Sequence, residues 1–253
     1  MRTVCLLIVS ALALVAGSPR PTTVEENPSV AGLLRTVDFE TSLVFCVGSI
    51  LNNRSILTAA RCVEADPASR WRIRLGSSTW NSGGVIYNVA EIILYYDWDE
   101  WAFHGDLAIL RSSTEIAFGP TVQPGAFAGP DYNVPSPSLR IVGWGYLSVL
   151  FWYPTVYEDM HEIDINGLDT EVCSPFYFPY GLYLRDTTQI CTGYSSSEGT
   201  SDRDSCFGEP GAPVFHGNVI YGVRSYGLNC QFFEAPSIST RVGPFIDWIS
   251  SNA

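Results

Sequence analysis

Histidine is the side chain best suited to acid–base chemistry near neutral pH, and in this chain of 253 residues the histidines are few and lie far apart in the sequence. The chain has three histidines, His104, His161 and His216, and its sequence holds no cluster of residues at metal-ligand spacing, so we expect neither a metal site nor a cofactor. His104 lies two positions before Asp106, but an i, i+2 pair on a strand shares a face without forming a catalytic pair. We therefore interpret His104 as a surface histidine.

Three short segments carry the motifs of the chain. Arg61 lies in the run Thr-Ala-Ala-Arg-Cys, Asp106 begins Asp-Leu-Ala-Ile-Leu, and Pro210 lies in the run Asp-Ser-Cys-Phe-Gly-Glu-Pro-Gly that starts at Asp204. In this order they resemble the histidine, aspartate and serine loops of the trypsin-like serine proteases. The resemblance extends from about residue 28 to the C-terminus and includes the later runs Gly-Trp-Gly at 143–145 and Ser-Tyr-Gly at 225–227.

The resemblance implies a catalytic site that has lost its chemistry. Acyl transfer in this family uses a serine hydroxyl, an imidazole base and two backbone N–H donors. Pro210 stands at the nucleophile position and has neither hydroxyl nor N–H, which leaves Gly208 as the one remaining oxyanion donor. Arg61 stands at the base position, and a guanidinium with a pKa above about 12 cannot accept a proton. We predict a noncatalytic homologue in which Arg61, Asp106 and Pro210 are degenerate triad positions. The alternative is a divergent but active trypsin-like endopeptidase.

Asp106 needs a partner if it is buried, as the resemblance implies. Arg61 could supply a charge-assisted hydrogen bond, so we predict a structural ion pair between the two residues. In the alternative, Arg61 turns towards solvent and backbone donors alone hold Asp106.

The specificity pocket is assigned by the resemblance to Asp204, Ser205, Ser225, Gly227 and Ser237. Asp204 matches the acidic base that accepts arginine or lysine in trypsins, whereas Ser237 replaces a wall glycine and would narrow the slot. The pocket could still bind a basic side chain. Alternatively, Asp204 is a relic whose charge is solvated or neutralised.

The activation contact of the family is also changed. Its members are cut after a basic residue to free an Ile-Val-Gly-Gly terminus, whose amine pairs with an aspartate beside the nucleophile. Here Arg20 is followed by Pro21, the four terminal residues are missing, and Glu209 holds the aspartate position. The sequence therefore predicts that zymogen conversion is either unnecessary or impossible.

Seven cysteines leave six once Cys5 is assigned to a removed leader, and six cysteines allow fifteen pairings. By resemblance the bridges join Cys46 with Cys62, Cys173 with Cys191, and Cys206 with Cys230. Residues 1–17 are predicted to be a signal peptide, too short to span a bilayer. The protein is thus expected to be secreted, with no membrane partner, and Asn53 begins a candidate glycosylation sequon in the hairpin turn 52–55.

Length and composition favour an all-β protein. The 236 residues after the leader contain short alternating runs at 72–75, 85–93, 107–110, 140–144 and 219–225, punctuated by many of the chain's 22 glycines and 16 prolines. The resemblance predicts one trypsin-like domain over 18–253, expected as a monomer. It should contain two antiparallel six-stranded barrels at about 28–123 and 138–240, a crossover at 124–137 and a C-terminal helix at about 242–250.

The charge inventory is unusual because all fourteen basic residues are arginine. Arginine keeps its charge near pH 10, where lysine begins to lose it, so the composition suits an alkaline fluid. In this respect the chain resembles the digestive trypsins of moth guts. Genomic base bias and selection against lysine-directed cleavage are the alternatives.

The net charge of −12 makes nucleic acid a poor partner. Within the noncatalytic hypothesis, the expected partners are active proteases, protease inhibitors or peptides, by analogy with the family. A storage protein without a specific ligand is a third possibility. Inhibitor affinity distinguishes binding from storage, and peptide hydrolysis distinguishes both from an enzyme.

Overall fold

The computed structural model describes residues 19–38, 41–134, 137–148, 155–193, 208–228 and 235–253. The predicted leader at residues 1–17 and the predicted site residues Asp204, Ser205, Cys206 and Cys230 lie outside these ranges. None of the helices in the described ranges is both long and apolar enough to cross a lipid bilayer.

The first half of the chain forms a closed antiparallel barrel. The strands of this half are β1 (Arg20–Pro21), β2 (Val30–Asp38), β3 (Thr41–Ile50), β4 (Ser55–Thr58), β5 (Trp71–Leu75), β6 (Val85–Leu94) and β7 (Ala108–Ser112). The barrel order is β2-β3-β4-β7-β6-β5, and it closes because β5 pairs with β2. In β5, Trp71, Ile73 and Leu75 are buried while the residues between them are partly exposed, which is the alternation of a strand with one face on a core.

The second half forms a second six-stranded barrel. The strands of this half are β8 (Ala126–Phe127), β9 (Ser138–Gly143), β10 (Tyr146–Ser148), β11 (Thr155–Val156), β12 (His161–Leu168), β13 (Gln189–Gly193), β14 (Pro213–His216), β15 (Val219–Tyr226) and β16 (Ser237–Arg241), and six of them form the barrel. The order β9-β12-β13-β16-β15-β14 closes because β14 pairs with β9. β1 adds to β12, and β8 adds to β15 in parallel. The predicted fold class of two antiparallel six-stranded barrels is confirmed.

Helices are few and short. They are α1 (Ala60–Val63), α2 (Thr170–Tyr177) and α3 (Ile246–Asn252), with 3₁₀ turns at Ala68–Arg70, Phe178–Tyr180 and Gly243–Phe245. α3 is the C-terminal helix that the sequence predicts. The five predicted strand runs fall on β5, β6, β7, β9 and β15, and the chain reverses between β3 and β4 through a bond from the Leu51 N–H to the Ser55 carbonyl at 2.8 Å.

The two barrels meet through Trp144, which follows β9. Its ring packs on Gly32 of β2 so closely that a Cβ at Gly32 would lie 3.4 Å from the ring. The indole N–H donates to the Ser78 carbonyl at 2.8 Å. Near this junction the segments before β7 and β14 both contact α1, and the region around these contacts is called the cleft below.

Candidate functional site

Asp106 lies at the centre of the cleft, directly before β7, and is fully buried. Its Oδ1 accepts a hydrogen bond from the backbone N–H of Arg61 at 2.9 Å, and its Oδ2 accepts one from the Ser225 hydroxyl at 2.5 Å. Burial raises the pKa of Asp106 to about 6, although the Ser225 hydroxyl and the Arg61 N–H both oppose this shift by favouring the carboxylate. Neutral donors therefore hold the buried carboxylate.

The Arg61 guanidinium does not pair with Asp106. Its Nη1 donates to the Ser225 carbonyl at 3.1 Å, and its Cζ lies 5.1 Å from the centroid of the Phe103 ring. The predicted ion pair between Arg61 and Asp106 is therefore wrong. The structure is closer to the alternative prediction, in which Arg61 does not pair with Asp106, because a backbone N–H and a hydroxyl bind the Asp106 carboxylate. It differs from that alternative in that the Arg61 side chain is partly buried in the cleft.

The reason lies in the position of Arg61 at the start of α1. Its N–H has no partner within the first turn of the helix and points at Asp106, while its side chain leaves the helix in another direction. Placing the guanidinium against the fully buried Asp106 would cost desolvation free energy. In its observed position the guanidinium stays partly exposed and interacts with the Ser225 carbonyl and the Phe103 ring.

Pro210 lies beside α1, the helix that contains Arg61. Its carbonyl accepts a hydrogen bond from the Val47 N–H at 3.1 Å and lies 3.3 Å from the Cys62 sulfur. The next residue, Gly211, has a φ of +85°, and a Cβ there would come within 2.1 Å of the Val47 carbonyl oxygen and the Thr58 hydroxyl. Only glycine fits this position, so the turn holds Pro210 firmly against the first barrel.

Glu209 is a second fully buried carboxylate. Neither of its oxygens makes a hydrogen bond within the described part of the chain, and Oε2 lies so close to Gly143 that a Cβ there would approach within 2.6 Å. Burial raises its pKa to about 7, and the N–H groups of Glu209 itself, Gly145 and Trp144 lower it only partly because they do not reach hydrogen-bond geometry. Among the residues that the structure describes, Glu209 therefore has no partner like the terminal amine that the resemblance implies for this position.

The histidine rings make contacts away from the cleft centre. His104 contacts the Tyr183 carbonyl at 3.1 Å, and His216 contacts the Tyr132 hydroxyl at 2.7 Å. His161 stacks on Tyr157 with 3.9 Å between ring centroids. None of these contacts connects a described imidazole to Asp106 or to Pro210. Within the described ranges, no group of three or more histidine, cysteine or carboxylate side chains could bind a metal ion.

The predicted pocket residues separate into two groups. Asp204 and Ser205 lie outside the described residues. Ser237 is fully buried with its hydroxyl 2.7 Å from that of Thr192, and Gly227 is exposed. Ser225, also predicted as a pocket residue, donates its hydroxyl to Asp106.

The remaining predicted residues lie in several parts of the fold. Gly208 is buried with a φ of +90°, and a Cβ there would lie 2.8 Å from Ile141. Asn53 is exposed in the β3–β4 turn, where a glycan could be attached. The described disulfides join Cys46 to Cys62, with 6.2 Å between Cα atoms, and Cys173 to Cys191, with 6.1 Å. The predicted bridge between Cys206 and Cys230 lies outside the described residues.

Two residues of the cleft were not predicted from the sequence. Phe103 has a φ of +53°, and its ring lies 4.7 Å from that of Tyr226 and under Arg61. No sequence signal marks this backbone conformation. Arg224 is buried in β15, where a charged residue inside an otherwise uncharged strand is a signal that could have been recognised.

Comparison with known proteins agrees with this geometry. The family model described as Trypsin matches residues 20–249. Trypsin CFT-1 of Choristoneura fumiferana is 37% identical over all of both chains, and Trypsin, alkaline B of Manduca sexta is 34% identical over 95% of this chain and 91% of its own. The solved structure of scabies mite inactivated protease paralogue S-D1 superposes with a TM-score of 0.76 at 23% identity, covering 92% of this chain and 95% of that one. The chain therefore belongs to the trypsin family.

Proposed function

We propose that the protein is a noncatalytic member of the trypsin family that acts by binding other proteins or peptides. The observation that carries this proposal is the position of Pro210. Pro210 lies close to α1, which contains Arg61, and by the resemblance these two residues match the nucleophile and the general base of the family.

Each replacement removes a different requirement of acyl transfer. Pro210 offers no hydroxyl for attack and no N–H for the oxyanion, and loss of one such donor alone costs about 100- to 1,000-fold in rate. Arg61 cannot take a proton, and loss of the serine or histidine of a triad costs roughly a millionfold. These losses overlap because the triad works as a unit, but together they leave no measurable peptidase turnover.

The amino-terminal segment gives separate support. Arg20 and Pro21 form β1, and the guanidinium of Arg20 binds the Glu162 carboxylate at 2.7 Å as well as that of Asp164. The Arg20–Pro21 bond is thus part of a paired strand, and Glu209 remains without an amine partner among the described residues. An active oxyanion loop in this family depends on such a partner.

The proposed partners are active proteases, protease inhibitors or peptides. The protein would act as a secreted monomer, in an alkaline gut lumen, where its arginine-only basic residues remain charged. Similarity to a relative named Trypsin, alkaline B supports this setting.

A fluorophosphonate probe tests the loss of catalysis, with an active trypsin as positive control. We expect no labelling of this protein, and stoichiometric labelling would favour the active endopeptidase instead. The double variant Arg61→His/Pro210→Ser should also hydrolyse little peptide at alkaline pH, because it does not restore the Ile-type terminus that orders the oxyanion loop in the family. Strong hydrolysis by this variant would contradict the role given to Glu209.

Binding is tested by capture from gut fluid on the immobilised protein, followed by identification of the bound proteins. Enrichment of proteases or protease inhibitors, relative to a surface-matched control protein, would support a binding role. Absence of any specific partner would favour a storage protein.

A further inference from the structure

Arg224 is a buried charge that the triad positions do not explain. Only 3% of the residue is exposed, because it lies between Val223 and Ser225 in β15, a strand that is almost entirely buried. A guanidinium keeps its charge at any pH at which the protein is folded, so its burial needs well-placed acceptors. The acceptors around the guanidinium therefore indicate which part of the fold Arg224 fills.

The guanidinium of Arg224 lies at the junction of β15 and β16. Its Nη1 donates to the Tyr226 carbonyl at 2.7 Å and to the Ile238 carbonyl at 3.3 Å. Tyr226 and Ile238 are paired residues of the two strands, and the register shifts between Arg224 and Tyr226. Such a bulge redirects side chains. The side chain thus runs along its own strand to reach two main-chain oxygens.

The aliphatic part of the Arg224 side chain lies close to Gly208. A Cβ at Gly208 would lie 3.9 Å from the Arg224 Cγ, so the side chain passes close to the loop that leads to Pro210. The neighbouring Ser225 points its hydroxyl towards Asp106. The side chain of Arg224 therefore fills the space between the Gly208 loop and the β15–β16 pair.

This space is bordered by residues that the sequence assigned to the specificity pocket. Gly227 follows Tyr226, and Ser237 precedes Ile238, so both lie next to the carbonyls that bind the guanidinium. The hydroxyl of Ser237 turns away to Thr192 and leaves these carbonyls to Arg224.

We propose that Arg224 fills the specificity pocket of its own chain. The basic group that a trypsin substrate or an arginine-directed inhibitor would insert is already supplied by the protein. A second cation would meet occupied volume and a like charge at close range, both of which oppose binding. Ligands of the cleft should therefore bind without inserting an arginine, lysine or benzamidine group.

The inference concerns the same cleft as the proposed binding function but does not need that function to be correct. A filled pocket excludes a basic side chain from an enzyme and from a binding protein alike. Fluorophosphonate labelling reports on catalysis, whereas occupation of the pocket is measured with a basic probe that needs no catalysis. The two proposals can therefore fail separately.

The probe is p-aminobenzamidine, whose fluorescence rises in an apolar site. We expect no binding to the wild-type protein, and binding to Arg224→Val at least about 100-fold tighter than to wild type, because the variant removes both the volume and the charge. Arg224→Met is the matched control, since it removes the charge but keeps a long side chain in the pocket. This variant should bind no more than weakly.

Binding of p-aminobenzamidine by the wild-type protein, competed by benzamidine, would overturn the proposal. So would a cooperatively folded Arg224→Val protein that binds no better than wild type. If Arg224→Val does not fold, the thermal unfolding of wild type and Arg224→Met with millimolar benzamidine decides. An unchanged midpoint for both supports a filled pocket, and a raised midpoint for wild type contradicts it.

Discussion

Two buried carboxylates stand at the two sides of the cleft, and their surroundings differ. Asp106, before the last strand of the first barrel, accepts bonds from the Arg61 N–H and the Ser225 hydroxyl. Glu209, in the turn before β14, has no hydrogen bond within the described residues. Both have raised pKa values, but that of Glu209 is higher, at about 7 against about 6. Asp106 therefore has neutral hydrogen-bond donors, whereas the oxygens of Glu209 have none within the described ranges.

The comparison has a consequence for stability. A buried carboxylate with donors contributes a defined geometry to the cleft even without catalysis, because the Arg61 N–H and the Ser225 hydroxyl need an acceptor. A buried carboxylate without donors contributes little and costs free energy whenever it is ionised. Three substitutions test this difference.

The largest effect is expected for Glu209→Gln. Burial raises the pKa of Glu209 from 4.5 to about 7, so its effect on folding is absent below pH 4.5 and grows as the pH rises through 7. Above that pH the variant should be more stable than wild type by about 3 kcal/mol, with no difference near pH 4. Urea unfolding at pH 4 and pH 9 measures this, with the exposed Glu25→Gln as control. Equal stability of variant and wild type at pH 9 would show that Glu209 has a partner after all.

Ser225→Ala should have a smaller effect of opposite sign. It removes the hydroxyl donor to Asp106, which raises the pKa of Asp106 above about 6 and destabilises the protein by about 2 kcal/mol where the carboxylate is ionised. The loss should be small below pH 4, where Asp106 is protonated. Ser239→Ala is the matched control, because Ser239 is equally buried and its hydroxyl has no hydrogen-bond partner in the described chain. Similar losses in both variants would contradict the role assigned to the Ser225 hydroxyl.

The smallest effect is expected for Arg61→Ala. The variant keeps the backbone N–H on Asp106 and loses the bond to the Ser225 carbonyl and the contact with Phe103, so it should cost less than about 1 kcal/mol. Breaking a buried ion pair would instead cost about 3–5 kcal/mol. Chemical denaturation at neutral pH separates these values, and exposed Arg54→Ala provides the baseline. A loss of unfolding free energy of about 3–5 kcal/mol would support the ion pair that the sequence predicted.

Much of the fold could be predicted from local patterns. The alternation of apolar residues in β5 and β6 is typical of strands with one buried face, and it is visible before any tertiary structure forms. The same is true of the hairpin between β3 and β4. The replacements predicted at the triad positions also depend on local information, since the absence of a hydroxyl, an N–H or a proton acceptor follows from the residue type at Pro210 and Arg61.

The partners of charged side chains were not predictable in this way. The resemblance placed Arg61 close to Asp106, and an ion pair was therefore predicted. Whether the pair forms depends on the balance between desolvation and hydrogen bonding, which is set by where α1 begins and by which carbonyls lie nearby. Phe103, with its positive φ, takes part in that competition without any mark in the sequence.

The sequence by itself indicated a trypsin fold through its resemblance to the family, and it showed proline and arginine at the positions that match the nucleophile and the base, because residue types are local properties. Only the tertiary structure decided that Arg61 binds the Ser225 carbonyl, that Glu209 is buried without a hydrogen bond in the described chain, and that Arg224 lies against the paired ends of β15 and β16. Long side chains reach several ångströms from their backbone, and the acceptors they meet come from strands distant in sequence. Their partners are therefore set by the packing of the two barrels.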